Sequence, residues 1–287
     1  AANQLVLFIA ALSVGVMALV YLLRGFILHQ VFGQISPEVM AYCSTYLDIV
    51  SLSIPFIALY NGGAALFRTM GNSKISMYTS LLMNAINVVG NAILIYGFKM
   101  EVAGAAIPTL FSRIVAAVVM IALLRNPKLL VHLKRPFVLR FNGGLIKRIL
   151  YIGVPNGLEN SMFQLGKIML LSLVSGFGTA AIAANAVGNT LATFMVLPGM
   201  ALGFAVITVI SRCIGAGDYE QARYFTKKLL KITYLSMLVT NILVVVAMPV
   251  IVKLYNLSEV ASTIAMQIIL SHGIAAILIW PLAFTLP

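Results

Sequence analysis

Long apolar runs separated by short polar connections repeat along the whole chain, and the runs are apolar on every side rather than on one face. A stretch such as Ile114 to Leu124 lacks the strict alternation of a transmembrane strand of about ten residues. Each run is long enough for a helix to cross a hydrocarbon layer of about 30 Å, which takes about 20 residues. Helix is required there because backbone polar groups must be satisfied internally. The pattern predicts about eight transmembrane helices, near Leu5 to Leu28, Val39 to Leu66, Ile75 to Phe98, Val102 to Leu124, Ile149 to Phe177, Ala180 to Ile210, Leu229 to Leu254 and Val260 to Leu286. The expected fold class is all-α, a polytopic membrane protein.

Composition agrees: 61% of the residues are hydrophobic, 9% are charged and the mean hydropathy is +1.04, which excludes a soluble globular domain. The net charge of +12 raises the question of nucleic acid, and the positions of the basic residues answer it. Fourteen of the nineteen fall in the connections after spans two, four and six: Arg68 and Lys74, then Arg125, Lys128, Lys134, Arg135, Arg140, Lys147 and Arg148, then Arg212, Arg223, Lys227, Lys228 and Lys231. The other side holds Lys99 and Lys253, with Arg24 near one helix end, while Arg113 and Lys167 lie inside spans. The positive-inside rule makes the basic connections cytoplasmic, where they face anionic lipid headgroups rather than nucleic acid. A multi-pass protein of a bacterial plasma or inner membrane is expected, with lipids as partners and a monomeric state.

The longest connection, Arg125 to Arg148, is basic and contains Pro127 and Pro136. It divides the chain into residues 1–125, with four spans, a cytoplasmic linker at 126–148, and residues 149–287, with four more. Ser36-Pro37-Glu38-Val39 and Ser258-Glu259-Val260 each open a span that later holds a proline, Pro55 or Pro281. This weak repeat suggests two pseudo-symmetric lobes. The chain starts at Ala1 inside one apolar segment and closes at Pro287 inside another, so a fragment of a longer protein is expected. Cys43 and Cys213 sit near opposite membrane faces and cannot form a disulfide.

Charged and polar residues inside spans cost free energy and mark candidate sites. Glu159 lies ten residues into its predicted span, about 15 Å deep, where a carboxyl can exchange a proton for a cation. A structural pair with Lys167, or a polar cap on a helix broken by Pro155 and Gly157, is the structural alternative. Asn160, Gln164 and Lys167 share one helix face, and Asn185, Asn189 and Thr193 share a face of the next. These two stripes read either as a cavity wall or as interhelical hydrogen bonding. In the first half, Asn87 and Asn91 are one turn apart and Thr109 faces back across a short hairpin, so their oxygens could hold a hard cation or simply pair the helices. Asp48 is read as an interfacial or cavity-mouth charge. The fourteen methionines serve packing or an adaptable binding surface. No His/Cys/Asp cluster has metal-ligand spacing, and His29, His132 and His272 are scattered. No nucleophile with a base, nor any paired acids, suggests an enzyme, so no catalytic residue and no cofactor is assigned.

Several short motifs occur in a fixed order. They are Arg68-Thr-Met-Gly71-Asn-Ser-Lys74, Asn87-Val-Val-Gly-Asn91, Gly104-Ala-Ala-Ile-Pro108-Thr109 with Arg113, Gly153-Val-Pro155-Asn-Gly-Leu-Glu159 through Gln164 and Lys167, Gly178 to Asn185, Pro198-Gly199, and Arg212-Cys-Ile-Gly215-Ala-Gly217-Asp218. Together they resemble the multidrug and toxic compound extrusion (MATE) family, with this chain as helices three to ten of twelve. The resemblance implies an antiporter that exports small organic, often cationic, compounds by rocking two lobes, driven by sodium ions or protons. It implies a first-lobe cation site at Asn87, Asn91 and Thr109, with Asn91 where the family usually has an acid. It also implies that Glu159 matches an acidic position of one bacterial subgroup. Lipid-linked precursor flippases of the same fold superfamily, and a non-transporting membrane scaffold, are the alternatives.

Overall fold

The computed structural model describes residues 2–26, 28, 37–133, 143–255 and 257–285. These are mostly helical, joined by short turns and irregular connections, and they form two compact units, Ala1–Gly153 and Val154–Pro287.

The first unit opens with α1 (Ala2–Leu22), a short α2 (Arg24–Phe26), α3 (Pro37–Leu52) and α4 (Ile54–Thr69). Then comes α5 (Ser73–Ala92), which runs on into a π-helical turn at Ile93–Gly97, and α6 (Glu101–Leu124). Helix α6 is the centre, packed on α3, α4 and α5, while α1 packs on α4. Phe67, Met120 and Leu124 are fully buried beside Ala64 and Ala116. Small partners let the helix backbones approach closely, which is how helices associate where lipid tails are as apolar as leucine.

In the second unit α8 (Thr179–Gly215) is the hub for α9 (Tyr219–Leu254), α10 (Glu259–Leu278) and the short α11 (Trp280–Thr285). Its core is Leu191, Met195, Val244 and Ile269. Asn241 ties α9 to α10 by donating from Nδ2 to the Gly273 carbonyl at 2.8 Å. Helix α7 (Gly143–Ser175) carries the chain from one unit into the other.

Both basic hairpins close the same way. After α4, Gly71 adopts φ 80°, and the N–H groups of Gly71 and Asn72 bond back to Arg68 and Phe67 at 2.9 Å. After α8, Gly217 adopts φ 76°, and Gly217 and Asp218 bond back to Ile214 and Cys213. A left-handed glycine satisfies the orphan carbonyls of the helix end at little steric cost. Asp218 then caps α9 by accepting from the Gln221 N–H at 2.9 Å.

Among the described residues six helices are long and apolar enough to cross a membrane, and α3 with α4 makes a seventh if their 43° bend lies within one span. Several predicted boundaries move. The first helix stops at Leu22 rather than Leu28, the second span breaks at Ser53 just before Pro55, and the last breaks at Ile279 before Pro281, with Leu286 outside the described residues. Pro155 and Gly157 do not break α7, which is continuous from Gly143. Glu159 therefore lies sixteen residues into its helix, not ten. Helix α7 falls short of the apolarity of a span, because Lys147, Arg148, Asn156, Glu159, Asn160, Gln164 and Lys167 dilute its apolar residues. Helices α8 and α9, of 37 and 36 residues, are each about 55 Å long at 1.5 Å per residue. That exceeds the hydrocarbon layer of about 30 Å, so the basic residues placed in a connection at Arg223, Lys227, Lys228 and Lys231 are helical. Of the predicted linker, residues 134–142, with Lys134, Arg135 and Arg140, lie outside the described residues, as does His29, and residues 143–148 open α7.

Candidate functional site

The α5–α6 hairpin brings Asn87, Asn91 and Thr109 together. Gly90 makes this possible: a Cβ there would lie 2.7 Å from the Pro108 Cβ, so only glycine lets the two helices approach this closely. Asn87 donates from Nδ2 to Thr109 Oγ1 at 2.9 Å, Asn91 donates from Nδ2 to Asn87 Oδ1 at 3.2 Å, and Thr109 donates in turn to the Ala105 carbonyl at 2.9 Å. This chain ends in a surplus acceptor, since Asn91 Oδ1 is buried with no hydrogen-bond partner. A buried acceptor left unpaired costs roughly 1–3 kcal/mol, and a donor or a hard cation would satisfy it. The π-helical turn at Ile93–Gly97 follows directly, and such turns often interrupt α-helices at functional sites.

One turn beyond Thr109 on α6 stands Arg113, whose Nη1 donates to Ser53 Oγ at 2.5 Å. Ser53 is fully buried at the α3–α4 break and donates to the Val50 carbonyl at 2.6 Å. Sequence reasoning placed Arg113 inside a span but missed Ser53, whose signal was the Ser-Ile-Pro break. It also missed the pairing of Asp48, read as an interfacial or cavity-mouth charge. Asp48 Oδ2 is 2.8 Å from Arg24 Nη2, and Arg24 also donates to Ser44. Tyr21 donates to the Asp48 carbonyl at 2.6 Å, while Asp48 Oδ1 is buried without a hydrogen-bond partner.

The stripes of the second unit are placed differently. Every residue from Tyr151 to Leu173 on α7 is exposed, including Glu159, Asn160, Gln164 and Lys167. Asn160 donates to the Asn156 carbonyl and Oδ1 at 2.9 and 3.0 Å. Glu159 and Lys167 do not pair; Lys167 Nζ lies 4.8 Å from the centre of the Phe163 ring. Eight residues separate the two charges, about 12 Å along a helix. On α8 Asn185 is half-buried, Asn189 and Thr193 are exposed, and Thr193 donates to the Asn189 carbonyl at 2.9 Å. The apolar neighbours Val187, Leu191 and Met195 take the buried face instead. Among the described residues no group of three or more His, Cys, Asp or Glu could hold a metal.

Comparison with known proteins is consistent with this architecture. The sequence pattern of the MatE family matches residues 1–93 and 155–285. The probable multidrug resistance protein YoeA of Bacillus subtilis is 28% identical over 195 residues, covering 66% of this chain and 42% of that protein. The multidrug export protein MepA of Staphylococcus saprophyticus is 28% identical over 174 residues, covering 61% of this chain and 38% of that protein. The chain thus spans less than half the length of these relatives. Among solved structures, a MATE in complex with MaL6 aligns with a TM-score of 0.85 at 19% identity, covering 99% of this chain and 64% of that one. A MOP superfamily transporter from Pyrococcus furiosus, described by the reverse polarity of its binding pocket, aligns at 0.83 with 19% identity and the same coverage of each chain. These two likenesses concern the fold, whereas the family pattern covers most of the sequence. The chain is a multi-pass membrane protein and belongs to the MatE family.

Proposed function

We propose that the protein containing this chain is a secondary antiporter that exports small organic compounds, often cationic, in exchange for sodium ions or protons. The observation that carries the ion-coupled reading is Asn91 Oδ1, a buried acceptor with no partner at the end of the Asn87–Thr109 hydrogen-bond chain. An oxygen left bare inside a span is a place for a cation or a proton donor, and a coupled transporter needs such a place. The relatives named for multidrug resistance or export support the substrate class. On this reading the protein works as a monomer in a bacterial plasma or inner membrane, rocking two lobes against each other, with its basic connections cytoplasmic and touching lipid headgroups.

Glu159, Asn160, Gln164 and Lys167 on α7, with Asn185, Asn189 and Thr193 on α8, are the second-unit candidates for substrate and coupling. Glu159 has no ion-pair partner among the described residues, so its carboxyl is open to a proton or an organic cation. A lipid-precursor flippase is the second reading, favoured by Arg113, a charge inside a span with no ion pair among the described residues. The test is Glu159→Gln in the full-length protein, reconstituted in liposomes. The variant should insert and keep its thermal stability yet lose gradient-driven transport of organic cations. Full transport by the stable variant would remove Glu159 from the mechanism.

A further inference from the structure

The middle of α6 holds a charge that the described residues of the first unit anchor without an ion pair. Arg113 is twelve residues after Glu101 and eleven before Leu124, so it stands about 17 Å from either end of the helix, at the depth of the bilayer centre. An ionised side chain at that depth is costly, and such residues pair with an opposite charge, with carbonyls, or with a ligand in a water-filled cavity. The first unit has three acids, and none of them serves. Asp48 is held by Arg24 at 2.8 Å, while Glu38 and Glu101 lie in the first turns of α3 and α6. The hydrogen bond that Arg113 makes among the described residues goes to Ser53 Oγ. Ser53 spends its own proton on the Val50 carbonyl, so it accepts from the guanidinium and orients it without cancelling its charge. A guanidinium offers five N–H donors in a planar fork that matches the two oxygens of a carboxylate or phosphate. Arg113 is only half-buried, which leaves the rest of that fork within reach of a ligand.

We infer that Arg113 is a binding site for an oxyanion, the carboxylate or phosphate of a transported compound or of a lipid. The reading of the protein as a transporter then extends to compounds that carry an acidic group beside any cationic one. This inference rests on that reading for its biological meaning, but its test is a binding measurement that needs no transport.

A rhodamine with a free carboxylate and its methyl ester form a probe pair that differs in the oxyanion alone. Their binding to the full-length protein in phosphatidylcholine nanodiscs is followed by fluorescence anisotropy. The free acid should bind more tightly than the ester, and Arg113→Gln should weaken the acid about ten- to hundredfold, as expected for a charge-assisted hydrogen bond, while changing the ester by less than about twofold. Equal losses for both probes would make Arg113 a brace for the α3–α4 bend and overturn the inference; so would an unchanged affinity for the acid. Should Arg113→Gln fail to fold, Arg113→Lys keeps the charge and loses the planar fork. The preference for the acid should then shrink several-fold yet persist, and an unchanged preference overturns the inference. Nanodiscs with added phosphatidylglycerol separate the two sources. Weaker binding of the acid there, in the parent but not in Arg113→Gln, identifies the phosphate of an anionic lipid as the natural occupant, and equal binding in both lipids identifies a soluble acid over an anionic lipid. If probe binding follows Arg113 but no gradient drives transport, the antiporter reading fails and the oxyanion site stands.

Discussion

The charge of Arg113 should also govern how tightly the neighbouring oxygens hold sodium. Asn87 bonds to Thr109 and Gly90 abuts Pro108, which sets Asn91 about two turns from Arg113 along the hairpin, a separation of roughly 10 Å. At an effective dielectric constant of about 20, a permanent positive charge at that distance opposes a sodium ion by about 1.7 kcal/mol. That is about fifteenfold in affinity. Arg113→Gln should therefore tighten sodium binding about fifteenfold in the full-length protein, measured by scintillation proximity with radiolabelled sodium in nanodiscs. Arg113→Lys should leave it within about threefold. Asn91→Asp should also tighten binding, since it adds a negative charge to the oxygen that lacks a partner. A change of twofold or less on Arg113→Gln would mean that the two groups see each other through water, where the same distance gives about 0.4 kcal/mol, and would refute the electrostatic reasoning. If Asn91→Asp also leaves sodium affinity unchanged, the trio is helix pairing.

Two further outcomes check the packing and the orientation. Gly90→Val should lower stability by about 1–3 kcal/mol through overpacking against Pro108, seen as a lower thermal midpoint. Gly157→Ala, with nothing within 4 Å of the added Cβ, should be neutral or stabilising by up to about 1 kcal/mol; equal midpoints for the two variants would deny the close hairpin. Single cysteines introduced at Lys99 and at Lys134 should be labelled from outside and remain protected, respectively, and the reverse pattern would invert the topology.

Much of the fold is legible because the bilayer imposes one rule everywhere: a spanning segment must be helical and about 20 residues long. Runs such as Val102 to Leu124 obey it almost to the residue. Breaks depend on single turns and are less visible. Pro55 follows a real bend at Ser53, whereas Pro155, Pro198 and Pro249 lie inside continuous helices. Proline forbids one hydrogen bond, and the surroundings decide whether the helix ends. In the first unit, the Asn87–Thr109 contact could be anticipated because a short hairpin fixes which positions face each other. The Arg113–Ser53 bond, 60 residues apart, and the Arg24–Asp48 pair could not, because they depend on how whole helices pack. The α7 and α8 stripes share their spacing, yet spacing does not reveal which face is covered. The buried residues of α8 lie beside its stripe, and all of α7 from Tyr151 to Leu173 is exposed.

Ion-coupled export is tested most directly by uptake of organic cations into liposomes containing the full-length protein, with an imposed sodium gradient compared with an imposed proton gradient. Uptake driven by one of these gradients, and abolished when an ionophore collapses it, is the predicted result. Uptake equal with and without either gradient, or movement of lipid-linked precursors in place of organic cations, would contradict it.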